Sequence, residues 1–83
     1  MSLPLSRAIV DQLSESEKQT IEQILLIMGD VKIENNDGCR DTCEISATIG
    51  NAGCDAMSSP IARAACRLAV KVAKDICIKN CGS

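Results

Sequence analysis

The sequence predicts a small all-α domain in which disulfides staple an antiparallel helical hairpin. Three observations support this prediction: a symmetric list of cysteines, helix-forming segments on either side of a central Ser-Pro, and the short chain. The chain has 83 residues, of which six are cysteine, and it contains no Phe, Tyr or Trp. A core of this size without aromatic side chains is marginal, so covalent cross-links are the expected source of stability.

The cysteines are arranged symmetrically about residue 60. They lie at positions 39, 43, 54, 66, 77 and 81, so the steps are four and eleven, then eleven and four. Steps of four and eleven residues are close to whole numbers of helical turns. Of the fifteen pairings that six cysteines allow, two antiparallel helices favour one, which is Cys39–Cys81, Cys43–Cys77 and Cys54–Cys66.

These cross-links would dominate the stability and indicate the compartment. On the loop-entropy model the 39–81 link would contribute about 4 kcal/mol and the 54–66 link about 3 kcal/mol. Six cysteines in a short chain indicate an oxidising location, which is secreted or otherwise extracytoplasmic. The apolar run at residues 24–28 is too short for a signal-peptide core or a membrane span. Either a signal was removed, export uses another route, or the chain is cytosolic with free thiols.

We treat residues 1–83 as a single domain with two unlike parts. Residues 1–37 carry three basic and seven acidic groups, whereas residues 38–83 carry six basic groups, four acidic groups and every cysteine. The acidic part is expected to be helical, and it is either a cover for the hairpin or a leader that a protease removes.

The acidic part is expected to contain two helices. Pro4 suits the first position of one helix, on which the side chains at 5, 9 and 13 form a narrow apolar stripe. Ser14 and Glu17 form a capping box for the second helix, and Gly29 is expected to end it. The segment 31–33 suits extended backbone, and residues 34–38 form a polar turn.

The hairpin helices are predicted at about 39–57 and 60–80. In the first, Gly50 and Gly53 are expected to threaten a break after residue 49. The second begins with Ser59 as N-cap and Pro60 in the first turn. It continues to Asn80 in good helix-forming residues.

The second hairpin helix carries two faces. At 100° per residue, four cations fall within about 80° of one another, and an apolar set lies roughly opposite. The first hairpin helix repeats this pattern, with Ile45, Ile49, Ala52 and Ala56 set apart from its cysteines. We expect the N-terminal helices to cover both apolar faces. The cations are Arg63, Arg67, Lys71 and Lys74, and the apolar set is Ile61, Ala65, Leu68, Val72 and Ile76.

Several function classes are not expected. The chain has no His, which excludes His-based acid–base chemistry and His-ligated metals. It has no phosphate-binding glycine motif. Its basic face lacks aromatic residues and its net charge is −2, so no nucleic-acid partner is expected. We therefore predict neither an enzyme nor a resident cofactor.

Two families share features with the cysteine-rich half. The paired Cys-x-x-x-Cys motifs, Cys39/Cys43 and Cys77/Cys81, resemble those of the α-hairpinins, which are secreted antimicrobial or protease-inhibiting peptides. Residues 38–83 are similar to the halocin-type cysteine-rich bacteriocins, which are compact helical regions released from a longer precursor. The matching residues are Gly38-Cys39, Gly53-Cys54, Ser59-Pro60-Ile61-Ala62 followed by Cys66, and the closing Cys77 and Cys81.

We therefore expect a secreted antimicrobial peptide or bacteriocin-like toxin, in mature or precursor form, that acts on an anionic membrane or a membrane receptor. One alternative is an extracellular binding module, such as a protease inhibitor, pheromone or effector, whose 50–59 loop would make the contacts. The other is a cytosolic Cu(I)-binding helical bundle. The contact residues expected for the first function are Arg63, Arg67, Lys71, Lys74, Ile61, Leu68, Val72 and Ile76. Those for the loop are Asn51, Asp55, Met57 and Ser58, and those for copper are Cys39, Cys43, Cys77 and Cys81.

Overall fold

The chain folds into four helices in a computed structural model that describes residues 4–30 and 38–81. Helix α1 is Arg7–Val10, α2 is Glu15–Asp30, α3 is Cys39–Asp55 and α4 is Pro60–Cys81. Within those two ranges there is no strand. Helices α3 and α4 form the expected antiparallel hairpin, and α2 packs against both of them. The predicted all-α architecture is therefore confirmed, while the extended segment and most of the polar turn expected at 31–37 lie outside the described residues.

Helix α2 begins with the predicted capping box. The Ser14 backbone N–H donates to Glu17 Oε1 at 2.8 Å, and the Glu17 backbone N–H donates to Ser14 Oγ at 3.2 Å. Two N–H groups that the first turn leaves without helical partners are thus satisfied. The expected end at Gly29 is wrong, since Asp30 is also helical.

The first N-terminal helix is shorter than the sequence predicts. Its four residues follow Ser6, whose backbone is extended, so Pro4 lies outside the helix. A single turn is not stable on its own, and tertiary packing holds it here. Leu5 and Ile9 pack against the core and Leu13 is buried. The predicted stripe is therefore apolar and inward-facing, but it is not one continuous helix.

Helix α3 passes through both glycines without a break, contrary to the expectation of an interruption after residue 49. Both glycines face side chains of α2. A Cβ atom added at Gly50 would lie 2.7 Å from Met28 Sδ and 3.0 Å from Val70 Cγ2. One added at Gly53 would lie 3.1 Å from Ile24. The absent side chains make room for α2, and the packing gained offsets the low helix propensity of glycine.

This packing predicts opposite effects for the same substitution at two glycines. Gly50→Ala is expected to destabilise the protein by about 1 kcal/mol, because overpacking outweighs the gain in helix propensity. Gly29→Ala is the matched control, since a Cβ there meets nothing within 4 Å and is expected to stabilise α2 by about 0.5 kcal/mol. Urea denaturation followed by circular dichroism measures both values. Equal stabilisation by the two variants would show that Gly50 is not a packing site.

Helix α4 begins as predicted. The Ala62 backbone N–H donates to Ser59 Oγ at 3.3 Å, and Pro60 is the first helical residue. A proline at this position loses nothing, because its missing N–H would have no partner within the helix.

The core lies between α2 and the hairpin and is built from small side chains on the hairpin side. Ile21 of α2 is fully buried. It belongs to a cluster of buried residues to which α2, α3 and α4 all contribute. The members of this cluster are Leu13, Ile21, Ile24, Met28, Ala47, Cys54, Met57, Ala62, Ala65, Cys66, Ala69 and Val70.

The expected cover of the large apolar side chains is wrong. Of the α4 set only Ala65 is buried, and Ile45 and Ile49 of α3 are also exposed. The physical reason is that α2 fits against the glycines and alanines, where backbones approach closely. We call these small residues of the hairpin the glycine and alanine strip. The larger isoleucines lie beside this strip and extend to solvent.

Candidate functional site

Three disulfides join α3 to α4 in the predicted pairing. They are Cys39–Cys81, Cys43–Cys77 and Cys54–Cys66, with Cα–Cα distances of 5.8, 5.8 and 5.5 Å. These separations are normal for disulfides, and no described cysteine is free. Three disulfides are consistent with an oxidising, extracytoplasmic environment.

The disulfides fix which face of α4 points outward. Cys54 and Cys66 are fully buried near the closed end of the hairpin, and Cys43 is buried towards the open end. A helix tied to its neighbour at three points along its length cannot rotate about its axis. The outward arc of α4 is therefore a permanent surface of the oxidised protein.

One part of this arc is apolar. Ile61, Leu68 and Ile76 are 50%, 41% and 54% exposed, and Val72 is half-buried. Together they span about 80° of the helix circumference. The structure thus places three of the four predicted apolar contact residues at the surface.

The cations occupy another part of the same helix. Arg67 and Lys71 are exposed, while Arg63 and Lys74 are half-buried. Arg67 forms an ion pair with Asp55 near the end of α3, and both side chains are more than half exposed. An exposed pair of this kind contributes little stability, so the guanidinium remains available to a competing anion.

Three of the cations also line a polar groove between α3 and α4. Its α4 wall consists of these three cations and Val70. The cations are Arg67, Lys71 and Lys74. The groove is open to solvent and has a volume of about 870 Å³. The α3 wall is formed by Glu44, Ala47, Thr48 and Asn51.

Among the described residues, four exposed large apolar side chains were not among the predicted contact residues. Ile45 and Ile49 of α3 are 56% and 45% exposed, and Leu26 and Ile27 of α2 are each 51% exposed. The sequence did contain the signal for the α3 pair, because both lie away from the cysteines on the helical wheel. Because both were expected to lie on a face covered by the N-terminal helices, their exposure was not predicted.

The predicted binding loop is much smaller than expected. Residues 56–59 alone connect the hairpin helices, and Asn51 and Asp55 belong to α3. Met57 is buried in the core, so it is not available to a partner in this fold. Ser58 is exposed. The loop therefore offers little surface for the binding module considered above.

The fold and the site define a class: a disulfide-stapled helical hairpin with one packed covering helix. Comparison with protein-family models, curated proteins and solved structures gives no match for this chain. None of the helices in residues 4–30 and 38–81 combines the length and apolarity needed to cross a bilayer.

Proposed function

We propose that this protein is a secreted, bacteriocin-like antimicrobial peptide in a precursor form, and that α4 is the surface that contacts anionic membranes. The observation on which the proposal rests is that α4, a helix that disulfides hold in place, exposes an apolar arc and also exposes cations on another part of its circumference. The resemblance of residues 38–83 to halocin-type bacteriocins supports the same function.

The apolar part of the surface favours a membrane or protein contact. Exposed aliphatic side chains scattered singly are ordinary, but a grouped set on one helix is typical of an interaction surface. Ile61, Leu68 and Ile76 recur along α4 over about four turns. A helix lying in the bilayer interface buries such a stripe among the lipid headgroups and acyl chains.

The charge of α4 favours an anionic surface. The helix contains five basic residues and one acidic residue, Asp75, although the whole chain has a net charge of −2. Cations close to an anionic leaflet each contribute roughly 1 kcal/mol of attraction. The acidic residues that offset this charge are concentrated in residues 1–37, and Glu15 of α2 already pairs with Lys18 of the same helix.

The acidic part would restrain this activity in the precursor. Helix α2 lies on the glycine and alanine strip of the hairpin, bordered by the exposed isoleucines. Removing residues 1–37 would take away seven acidic groups and join the bordering side chains across an uncovered strip. Both changes favour membrane binding by the remaining hairpin.

Leakage of dye from lipid vesicles tests the proposal. The oxidised full chain and the oxidised 38–83 hairpin are each added to anionic and to zwitterionic vesicles, after circular dichroism has verified their helix content. We expect the hairpin to release more dye than the full chain, and anionic vesicles to leak more than zwitterionic ones. Equal leakage from both proteins, or none from either, contradicts the proposal.

Substitutions within the full chain distinguish membrane contact through α4 from nonspecific adsorption of the protein to vesicles. Leu68→Ser and Lys71→Glu change exposed side chains of α4 and are expected to reduce vesicle binding several-fold. Leu26→Ser is the matched control, because Leu26 is similarly exposed but lies on α2. If Leu26→Ser reduces binding as much as Leu68→Ser, the contact surface is not α4.

A further inference from the structure

The sulfur atoms at the open end of the hairpin form the one cluster of metal-ligating side chains that the described part of the chain contains. The Sγ atoms of Cys39, Cys43 and Cys81 all lie within 4.8 Å of one another. They belong to two different disulfides, Cys39–Cys81 and Cys43–Cys77, which are neighbours along the hairpin. Of the two unbonded pairs among these three sulfurs, Cys43 Sγ and Cys81 Sγ are 3.7 Å apart.

This spacing suits a shared metal ion. A metal–thiolate bond of about 2.3 Å places two sulfurs on one ion roughly 3.8 to 4.0 Å apart in tetrahedral or trigonal geometry. Cys43 Sγ and Cys81 Sγ already have nearly that separation. The sulfurs that are now bonded would each have to move about 1 Å, which a χ1 rotation of about 30° provides without moving either helix.

We infer that, when the chain is reduced, the cysteines at the open end bind one soft metal ion, for which Cu(I) is the best candidate. Cys39, Cys43 and Cys81 supply the clustered thiolates, and Cys77 lies one turn from Cys81 as a fourth ligand. Thiolates select Cu(I) and Zn(II) over harder ions. Structural zinc is almost always held by four ligands, whereas three sulfurs lie within 4.8 Å of one another here. The inference concerns the reduced chain and so goes beyond the function proposed for the oxidised one.

The third disulfide cannot contribute to this site. Cys54 and Cys66 are each eleven residues from the nearest site cysteine, which is about 16 Å along a helix. At the open end, one metal ion coordinated by cysteines of both helices would therefore replace two disulfides. It would keep α3 and α4 in the same register in a reducing compartment.

The chemistry balances with a phosphine reductant. Each disulfide accepts two electrons and two protons and becomes two thiols, while the phosphine and one water become the phosphine oxide. Each thiol that binds Cu(I) then releases its proton, so metal uptake is accompanied by acidification of an unbuffered solution.

Titration of the reduced full-length protein with Cu(I) tests the inference. The experiment is done without oxygen, in the presence of the phosphine and a coloured Cu(I) chelator that competes for the ion. We expect one Cu(I) per chain, and a helical circular dichroism spectrum for the copper-loaded reduced protein that matches the oxidised protein. Failure to compete with the chelator, or copper uptake without helical structure, overturns the inference.

Cysteine variants show whether the site has the proposed location. Cys39→Ser/Cys43→Ser is expected to weaken Cu(I) binding by more than about 100-fold, beyond the usual cost of losing a supporting residue. Cys54→Ser/Cys66→Ser keeps the four site cysteines and should bind one Cu(I) with unchanged affinity. An unfolded chain would use any of its thiols, so equal weakening by both variants contradicts the inference. The vesicle assay uses oxidised protein and the Cu(I) titration uses reduced protein. Either proposal can therefore fail without the other.

Discussion

Ile21→Ala is expected to detach α2 from the hairpin while leaving the hairpin folded. Ile21 is fully buried against the core, and removing such a side chain costs about 3 kcal/mol. Helix α2 contains no cysteine, and the only ion pair described for it lies within the helix. Among the described residues, apolar packing is what holds it against the hairpin. The hairpin, in contrast, has three covalent links.

Hydrogen exchange resolved by residue measures this difference. In the variant, the amides of α2 should lose protection by up to about 3 kcal/mol of opening free energy, while those around Cys54 and Cys66 should stay protected. Ile27→Ala is the matched control on the same helix, since Ile27 is 51% exposed. It should change protection by less than about 0.5 kcal/mol. An equal loss in α2 and in the hairpin would show that the protein unfolds as one unit and that α2 is not a separable cover.

Removal of the Cys54–Cys66 disulfide is expected to have an effect of similar size on the hairpin itself. The link closes a separation of 12 residues, which corresponds to about 3 kcal/mol of unfolded-state entropy. The Cys54→Ala/Cys66→Ala variant should therefore unfold at a lower urea concentration than the wild type when both are oxidised. Circular dichroism at the helix wavelength measures the two transitions.

Reduction separates the covalent contribution from packing. With all disulfides reduced, the wild type and this variant differ only by two buried thiols in place of two methyl groups. The part of the stability difference that disappears on reduction is due to the cross-link, and the remainder is due to packing. A difference that is the same in oxidised and reduced protein would mean that the cross-link contributes nothing.

Local signals made much of the fold predictable from the sequence. The capping box at Ser14 and Glu17 and the Ser59-Pro60 start depend on residues close in sequence, so their chemistry is independent of the rest of the fold. The disulfide pairing was predictable for a different reason: the symmetric spacing leaves one arrangement in which two straight antiparallel helices bring every cysteine to a partner.

The helix-to-helix contacts were harder to predict. Gly50 and Gly53 have low helix propensity, and only the approach of Met28 and Ile24 from α2 explains why they lie within a helix. Similarly, Ala69 of α4 lies in the core, although the larger apolar residues of α4 show the clearer helical periodicity in the sequence. Propensity and hydrophobicity favour large apolar residues as core, whereas close helix packing selects small ones.

The residues of the candidate site were predictable from the sequence, but their tertiary contacts were not. The cationic and apolar faces of α4 follow from helical geometry alone, and the exposure of Ile61, Leu68 and Ile76 fits the predicted contact surface. The ion pair of Arg67 with Asp55 and the burial of Met57 depend on how α3 meets the connecting loop. Those contacts join residues through the tertiary structure, and sequence spacing does not specify them.

Disulfide mapping of the unreduced protein tests the central claim most directly, namely that cysteines equidistant from residue 60 are bonded across two antiparallel helices. After blocking of any free thiols and denaturation without reductant, trypsin cuts the chain so that Cys39, Cys66, Cys77 and Cys81 fall in separate peptides. We predict a linked pair, 33–40 with 80–83, and a linked triple, 41–63 with 64–67 and 75–79. Cleavage after Glu44 should divide the triple into 41–44 with 75–79 and 45–63 with 64–67. A link between 33–40 and 41–63, or peptides that all separate without reduction, would contradict the account.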